Sequence, residues 1–210
     1  MMSIKDRVRC WDHHHRNNNI NALSGVSYED TINGLNLQDI IQKGDKILEV
    51  GIGLGYTIMG FNKDGFDISA FDISNYALNR VKDICNIYKK VEELPRNYFD
   101  IILCSNVVQH TPTALLKYEL KYIIQSLTEK GILAINSISS HKWQDSGVAP
   151  FLFSFDRSIG CFCRQPRKFS EIIFECGGVC DVISDIPIVV NESFINGSQR
   201  YHVRKRIIHV

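Results

Sequence analysis

Residues 47–55 read Ile47-Leu48-Glu49-Val50-Gly51-Ile52-Gly53-Leu54-Gly55, and this stretch decides the fold. A short apolar run from Lys46 to Val50 predicts a buried strand, and a glycine cluster follows it directly. Glycines at alternate positions let the backbone turn sharply and come close to a ligand. A helix expected over residues 56–62 would aim free N–H groups and its positive dipole end at that ligand. Asp72 lies 21 residues after Gly51, at the end of the next expected strand, Asp67–Phe71. An acid there can accept both ribose hydroxyls of an adenosine.

The spacing also selects among nucleotide ligands. A dinucleotide fingerprint G-x-G-x-x-G starting at Gly51 needs its third glycine at position 56, but Tyr56 stands there and the glycine is Gly55. Glu49, two residues before the first glycine, suits a ligand with a cationic head better than a pyrophosphate.

Outward from the cluster, strands and helices alternate. Ser74 or Asn75 caps a helix expected to run to about Tyr88, and a short strand is expected near residues 89–92. Phe99–Ser105 is the clearest buried strand. Thr111-Pro112-Thr113 predicts a helix through Leu127, with a hydroxyl cap and a proline in the first turn. Gly131 stops it, and a strand over residues 132–138 follows. This alternation predicts a parallel sheet with helices on both faces. A helix is expected over residues 167–176. Two β-rich stretches, 179–190 and 200–208, are joined by residues 191–199, so the last two strands should be antiparallel to each other.

Upstream, residues 27–42 carry near-helical spacing broken at Gly34. His13, His14 and His15 sit in a polar stretch read as a flexible arm, because consecutive side chains on a helix diverge. Residues 1–44 are therefore an arm and helices packing on a domain of residues 45–210. That domain carries an aromatic-rich insertion, 141–165, which is either an extra layer of core or a lid over an acceptor. Arg200, His202, Arg204 and Arg206 alternate along the last strand and read as a solvated basic face.

Several motifs, in order, resemble the class I S-adenosylmethionine-dependent methyltransferases. Leu48 to Gly55 is similar to the family's first motif, and Gly65-Phe66-Asp67-Ile68-Ser69-Ala70-Phe71-Asp72-Ile73-Ser74 to its second strand and ribose-binding acid. Val91-Glu92-Glu93-Leu94-Pro95 resembles the adenine loop, Tyr98 to His110 the fourth strand and its exit, and Leu127 to Ile135 the fifth strand. The resemblance implies an α/β fold: a Rossmann-like three-layer sandwich with a seven-stranded, mostly parallel sheet, order 3-2-1-4-5-7-6, and an antiparallel last strand. It implies S-adenosyl-L-methionine as cofactor, held by Glu49, Gly51, Ile52, Gly53, Gly55, Asp72, Ile73, Val91, Glu92, Ser105 and Asn106. The family often carries an acceptor for the adenine amino group where Lys90 stands; Lys90 cannot accept, so Glu92 substitutes or backbone and apolar contacts hold the ring. In many relatives an aromatic residue and an Asp fold over the cofactor, as Trp11-Asp12 could here. Among the groups at the fourth strand's exit, Ser105, Asn106, Gln109 and His110, the candidate catalytic base is His110. Its plainer reading is a histidine that closes the loop by bonding backbone.

Composition bounds the partners. At 210 residues and 24.0 kDa the chain is one domain with appendages. Its 24 Lys and Arg against 23 Asp and Glu give a formal charge of +1, which excludes a strongly basic nucleic-acid footprint. No apolar run approaches a membrane span, and residues 1–19 lack the apolar core of a secretory signal, so the expected compartment is the cytoplasm. The seven cysteines are spread along the chain and fit free thiols. Cys161, Cys163, Cys176 and Cys180 lack the usual two-residue zinc spacing, and no metal is expected. The expected enzyme is a monomer or homodimer that methylates a small-molecule acceptor at oxygen or nitrogen, without nucleic acid or membrane. A nicotinamide oxidoreductase on a related sheet is the rival enzyme, and the glycine spacing argues against it. A non-catalytic partner subunit is the rival outside enzymes, and the intact Glu49, glycine cluster and Asp72 argue against that decay.

Overall fold

Apolar runs bounded by glycines become strands of one sheet in the computed structural model, which describes residues 4–17, 28–139, 164–190 and 193–206. Two helices come first, α1 (Ile4–Asn17) and α2 (Tyr28–Leu35). Then β1 (Lys46–Val50), α3 (Tyr56–Lys63), β2 (Asp67–Phe71), α4 (Asn75–Val81) and β3 (Asn86–Tyr88) alternate. They are followed by β4 (Phe99–Ser105), α5 (Thr113–Ser126), β5 (Leu127–Ser139), α6 (Pro166–Glu175), β6 (Gly178–Val190) and β7 (Ser193–Lys205). The seven strands form one sheet in the order β3-β2-β1-β4-β5-β7-β6. The first five run parallel, and β7 lies antiparallel between β5 and β6.

Alternate residues of each strand feed opposite cores. One face carries Leu48, Ile102, Leu133 and Tyr201 against Leu120 of α5 and Ile173 of α6. The other carries Ile47, Leu103 and Ala134 against Leu35, Phe61 and Leu78 from α2, α3 and α4. The result is the expected three-layer sandwich.

Several local expectations give way to tertiary structure. The stretch of His13, His14 and His15 is not a flexible arm: it lies inside α1. The helix after Ser74 ends at Val81, because Asn86–Tyr88 pair with Ser69, Ala70 and Phe71 of β2 and extend the sheet instead. The strand expected at 89–92 is a single 3-10 turn, Val91–Glu93, tightened where Glu93 Oε2 accepts the amides of Lys89 and Lys90. Pro112 occupies the cap of α5, not its first turn, and no side chain caps that end. Gly131 does not stop an element but lies inside β5, where a Cβ would meet the Phe99 carbonyl oxygen at 2.8 Å; the β4–β5 register shifts there. Residues 193–199, expected as hairpin loop, continue the β6–β7 ladder, which satisfies their backbone groups. His202, expected in solvent, is 7% exposed and bonds the Leu35 carbonyl through Nε2 at 2.9 Å. Most of the 141–165 insertion, with Cys161 and Cys163, lies outside the described residues.

Candidate functional site

The carboxyl ends of β1, β2 and β4 converge on the glycine loop. Gly51, Gly53 and Gly55 all have positive φ (73°, 56° and 79°), the region that favours glycine. Two of them also answer to packing. A Cβ on Gly51 would stand 2.3 Å from Val107 Cγ2, and one on Gly55 2.5 Å from Val81 Cγ1. The loop feeds α3, whose first turn carries no acidic residue, so its N-terminal amides face the edge without a competing carboxylate.

Two buried acids flank this loop. Asp72 accepts from the amides of Ile52, Gly53 and Ser74, the last at 2.7 Å. Burial still pushes its carboxyl up to about 6, against the pull of those three bonds. Ionised, a carboxylate has about four acceptor positions, so three bonds leave room for one more donor. Glu49, on the adjacent strand, is 6% exposed. Thr57 donates to it, and Thr57 is itself bonded to Thr31 at 3.1 Å. Burial raises the Glu49 carboxyl to about 8, and among the described residues its buried Oε2 has no hydrogen-bond partner. An orphaned carboxylate oxygen at the base of a left-handed glycine loop fits a cationic or hydroxyl-bearing ligand head.

Helix α1 lies across this edge. Its Asp12 Oδ1 accepts the Ser74 hydroxyl at 2.6 Å and the Tyr76 amide at 3.0 Å, while Ser74 Oγ caps α4 through the Ala77 amide. One turn earlier, Arg7 faces Glu119 of α5, whose carboxyl burial raises to about 7 against the pull of Arg7. So α1 reaches from α4 on one face of the sheet to α5 on the other. Between those anchors Trp11 stacks on His15 (5.4 Å between ring centroids) and meets His110 edge-on at 5.3 Å. Burial lowers the His15 imidazole to about 4, so it is neutral in this stack.

The β4 exit carries the remaining expected residues. Asn106 adopts φ 58°, donates to Ser105 Oγ at 3.5 Å and accepts from Gln109 Nε2 at 3.4 Å. Gln109 Oε1 accepts from Ser137 on β5. His110 closes the 3-10 turn Val108–His110 with its own amide on the Val107 carbonyl at 2.9 Å. Ile73 packs against the core beside the loop, and Val91 is buried beneath the expected adenine position. Glu92 is exposed, and Tyr118 of α5 donates to it at 2.5 Å, which holds its carboxyl below the usual range.

Two groups here carry no local sequence signal. Arg164, 4% exposed, donates to the Val108 and Thr111 carbonyls at 2.9 and 2.5 Å and so braces the His110 turn. Its partners lie more than fifty positions upstream, a distance no spacing rule spans. The attraction between Arg7 and Glu119 is hidden in the same way; only a charged residue on an otherwise half-buried helix face hints at it. Among the described residues no cluster of His, Cys, Asp and Glu could hold a metal, and no helix is long and apolar enough to cross a membrane.

Residues 27–172 match the methyltransferase-domain family. No curated protein sequence matches the chain. Solved structures share the fold at low identity. A Burkholderia thailandensis 1,6-didemethyltoxoflavin N1-methyltransferase, solved with 1,6-didemethyltoxoflavin and S-adenosylhomocysteine, is 15% identical over 97% of this chain and 87% of its own, with a TM-score of 0.67. DhpI, solved with S-adenosylhomocysteine, is 14% identical over 97% of both chains, with a TM-score of 0.68. The [4+2]-cyclase SpnF is 13% identical over 86% of this chain and 81% of its own, with a TM-score of 0.64.

Proposed function

The chain belongs to the class I S-adenosylmethionine-dependent methyltransferase family, and from that premise we propose that it transfers a methyl group to a small-molecule acceptor, at oxygen or nitrogen. The observation that carries this reading is the orphaned Oε2 of buried Glu49, standing with amide-bonded Asp72 beside a left-handed glycine loop. Glu49 takes the cationic amino-acid end of the cofactor, and the last acceptor position of Asp72 takes a ribose hydroxyl. Gly51, Ile52, Gly53 and Gly55 let the backbone approach it closely. Ile73 and Val91 flank the adenine with apolar surface, Glu92 lies at its rim, and Ser105 and Asn106 line the side toward the acceptor. S-adenosylmethionine, when bound, supplies the methyl group on an electrophilic sulfonium.

The rest is positioning. Trp11, held over the edge by the Asp12 anchor on α4, excludes water from the space beside His110. His110, braced by Arg164 through the backbone of its turn, is the group able to receive a proton from an acceptor hydroxyl or amine. A helix laid across the edge obstructs a polymer, which favours a small acceptor. The similar Burkholderia protein, solved with a small bound acceptor, supports the same substrate class. The fold likeness to a [4+2]-cyclase makes transfer itself the thing to measure. Incubation with methyl-labelled S-adenosylmethionine and a fractionated cell extract tests this. Label is expected in the small-molecule fraction; label in protein or RNA, or release of no S-adenosylhomocysteine with any fraction, contradicts it.

A further inference from the structure

One row of paired residues crosses the β4–β6 half of the carboxyl edge. Ser105 of β4 pairs with Asn136 of β5, Asn136 with Arg200 of β7, and Arg200 with Ser184 of β6. Laterally paired residues share a face, and strands lie about 4.8 Å apart, so Arg200 stands roughly 10 Å from Ser105 along the edge. The row one step inward on the same face is Glu49, Leu103, Ala134 and His202. Its far end is closed: His202 is buried and bonded to the Leu35 carbonyl. Arg200 therefore sits above a sealed floor, on the same face as Glu49, two strands beyond the β4 exit.

Arg164, and the other cations on and just after β7, are placed differently. Arg164 holds backbone carbonyls, Lys205 Nζ donates to the Gln125 and Leu127 carbonyls, and the Arg206 guanidinium lies 4.3 Å over the Phe174 ring. Arg204 is exposed to solvent. Arg200 is half-buried, and among the described residues its fully buried Nε has no hydrogen-bond partner. Arg164 also buries its Nε, but its two terminal nitrogens hold the Val108 and Thr111 carbonyls. Folded proteins rarely leave a buried donor without an acceptor, and a guanidinium matches planar oxyanions.

We propose that Arg200 determines acceptor specificity: it receives an oxyanion, a carboxylate or phosphate, of a small acceptor lying along the row Ser105, Asn136, Arg200. This rests on the methyl-transfer reading above and narrows its substrate class to anionic molecules. The acceptor's reactive atom then lies toward Ser105 and His110, with its charged end about two strand spacings away.

The experiment is calorimetric titration of the full chain, with and without saturating S-adenosylhomocysteine, using benzoate, inorganic phosphate and the neutral isostere benzamide. Benzoate or phosphate is expected to bind saturably, and benzamide at least about tenfold more weakly. Which anion binds more tightly distinguishes a carboxylate from a phosphate acceptor. Arg200→Gln should weaken anion binding by at least about tenfold, and Arg200→Lys, which keeps the charge but not the planar fork, by less. S-adenosylhomocysteine affinity should be unchanged in both, which also certifies the fold. Should Arg200→Gln not fold, Arg200→Lys alone decides between a reduced affinity and none. Equal anion binding by parent and variants, equal binding of benzoate and benzamide, or no saturable anion binding would overturn the assignment. Failure of the parent to bind S-adenosylhomocysteine would instead strike the methyl-transfer reading, while the titrations without it still read Arg200.

Discussion

At the β1–β2 half of the carboxyl edge, Asp72 ties down the amides of Ile52, Gly53 and Ser74, and Val107 packs where a Gly51 side chain would stand. At the β5–β7 half, Arg200 keeps a buried Nε with no partner among the described residues, and Asn136 is only half-buried. The first half is held by the protein's own bonds before any ligand arrives. The second leaves its strongest donor to be answered by something else. On the readings proposed above, a shared cofactor meets a cradle built by the protein's own bonds, and a particular acceptor an edge whose polar groups are chosen one at a time. Helix α1 is tied to the first half through Asp12, which holds Ser74 and Tyr76 at the start of α4.

The largest effect should come from breaking the cradle itself. Gly51→Ala combines a left-handed backbone with a clash against Val107, an expected cost of about 2–5 kcal/mol of stability from strain and overpacking. Urea unfolding reads it directly. Parental stability in this variant would mean that the loop is not held as described.

Next is Asp72→Ala, which should weaken S-adenosylhomocysteine binding by about 1–3 kcal/mol, the usual cost of losing hydrogen bonds to a charged group. Because three amides lose their acceptor, the melting temperature should fall as well. Unchanged affinity would remove Asp72 from the ribose site, whatever happened to stability.

The two acids also set a pH dependence. Glu49 and Asp72 titrate at about 8 and about 6 in the folded chain, above ordinary carboxyls. The folded chain therefore holds more protons than the unfolded chain, and its stability without ligand falls as pH rises from the ordinary carboxyl range through about 8. A cationic ligand head favours the Glu49 carboxylate. Binding of S-adenosylhomocysteine near pH 6.5 should thus release up to about one proton, and its affinity should climb toward pH 8 and then level. Calorimetry in buffers of different ionisation enthalpy counts that proton. Proton uptake would reverse the assignment of Glu49.

The smallest effect sharpens the contrast. Asp12→Ala removes one acceptor shared by Ser74 and Tyr76 and should cost about 1 kcal/mol, the usual worth of a cap. Amide exchange should quicken across α1 and at the start of α4, while β5 and β7 keep their protection. Equal loosening of both halves would mean that α1 does not belong to the cradle.

The contrast also explains what the sequence discloses. Glu49, the glycines and Asp72 lie within 24 consecutive positions, on one strand–turn–helix–strand unit, so their spacing alone predicts their meeting. The strand order follows from the alternation and the motif resemblance. By contrast, Ser105, Asn136 and Arg200 become neighbours only through ladder register, and His202 meets Leu35 across 167 positions. Nothing local distinguishes Arg200 from exposed Arg204 four residues on. The polar helix face of α1 hides its anchors for the same reason: Asp12 and Arg7 find their partners on α4 and α5, and three adjacent histidines read alone suggest an arm. Gly131 misleads in the opposite direction, because a stop signal and a close-approach glycine look identical until β4 lies beside it.

The central claim is that the glycine loop, Glu49 and Asp72 form a site for S-adenosylmethionine and not for a dinucleotide. Isothermal titration of the full chain with S-adenosylhomocysteine and, separately, with NAD tests this most directly. The account predicts saturable S-adenosylhomocysteine binding at a single site, lost or strongly weakened in Asp72→Ala, and no binding of NAD. Saturable binding of NAD, with S-adenosylhomocysteine silent, would contradict it.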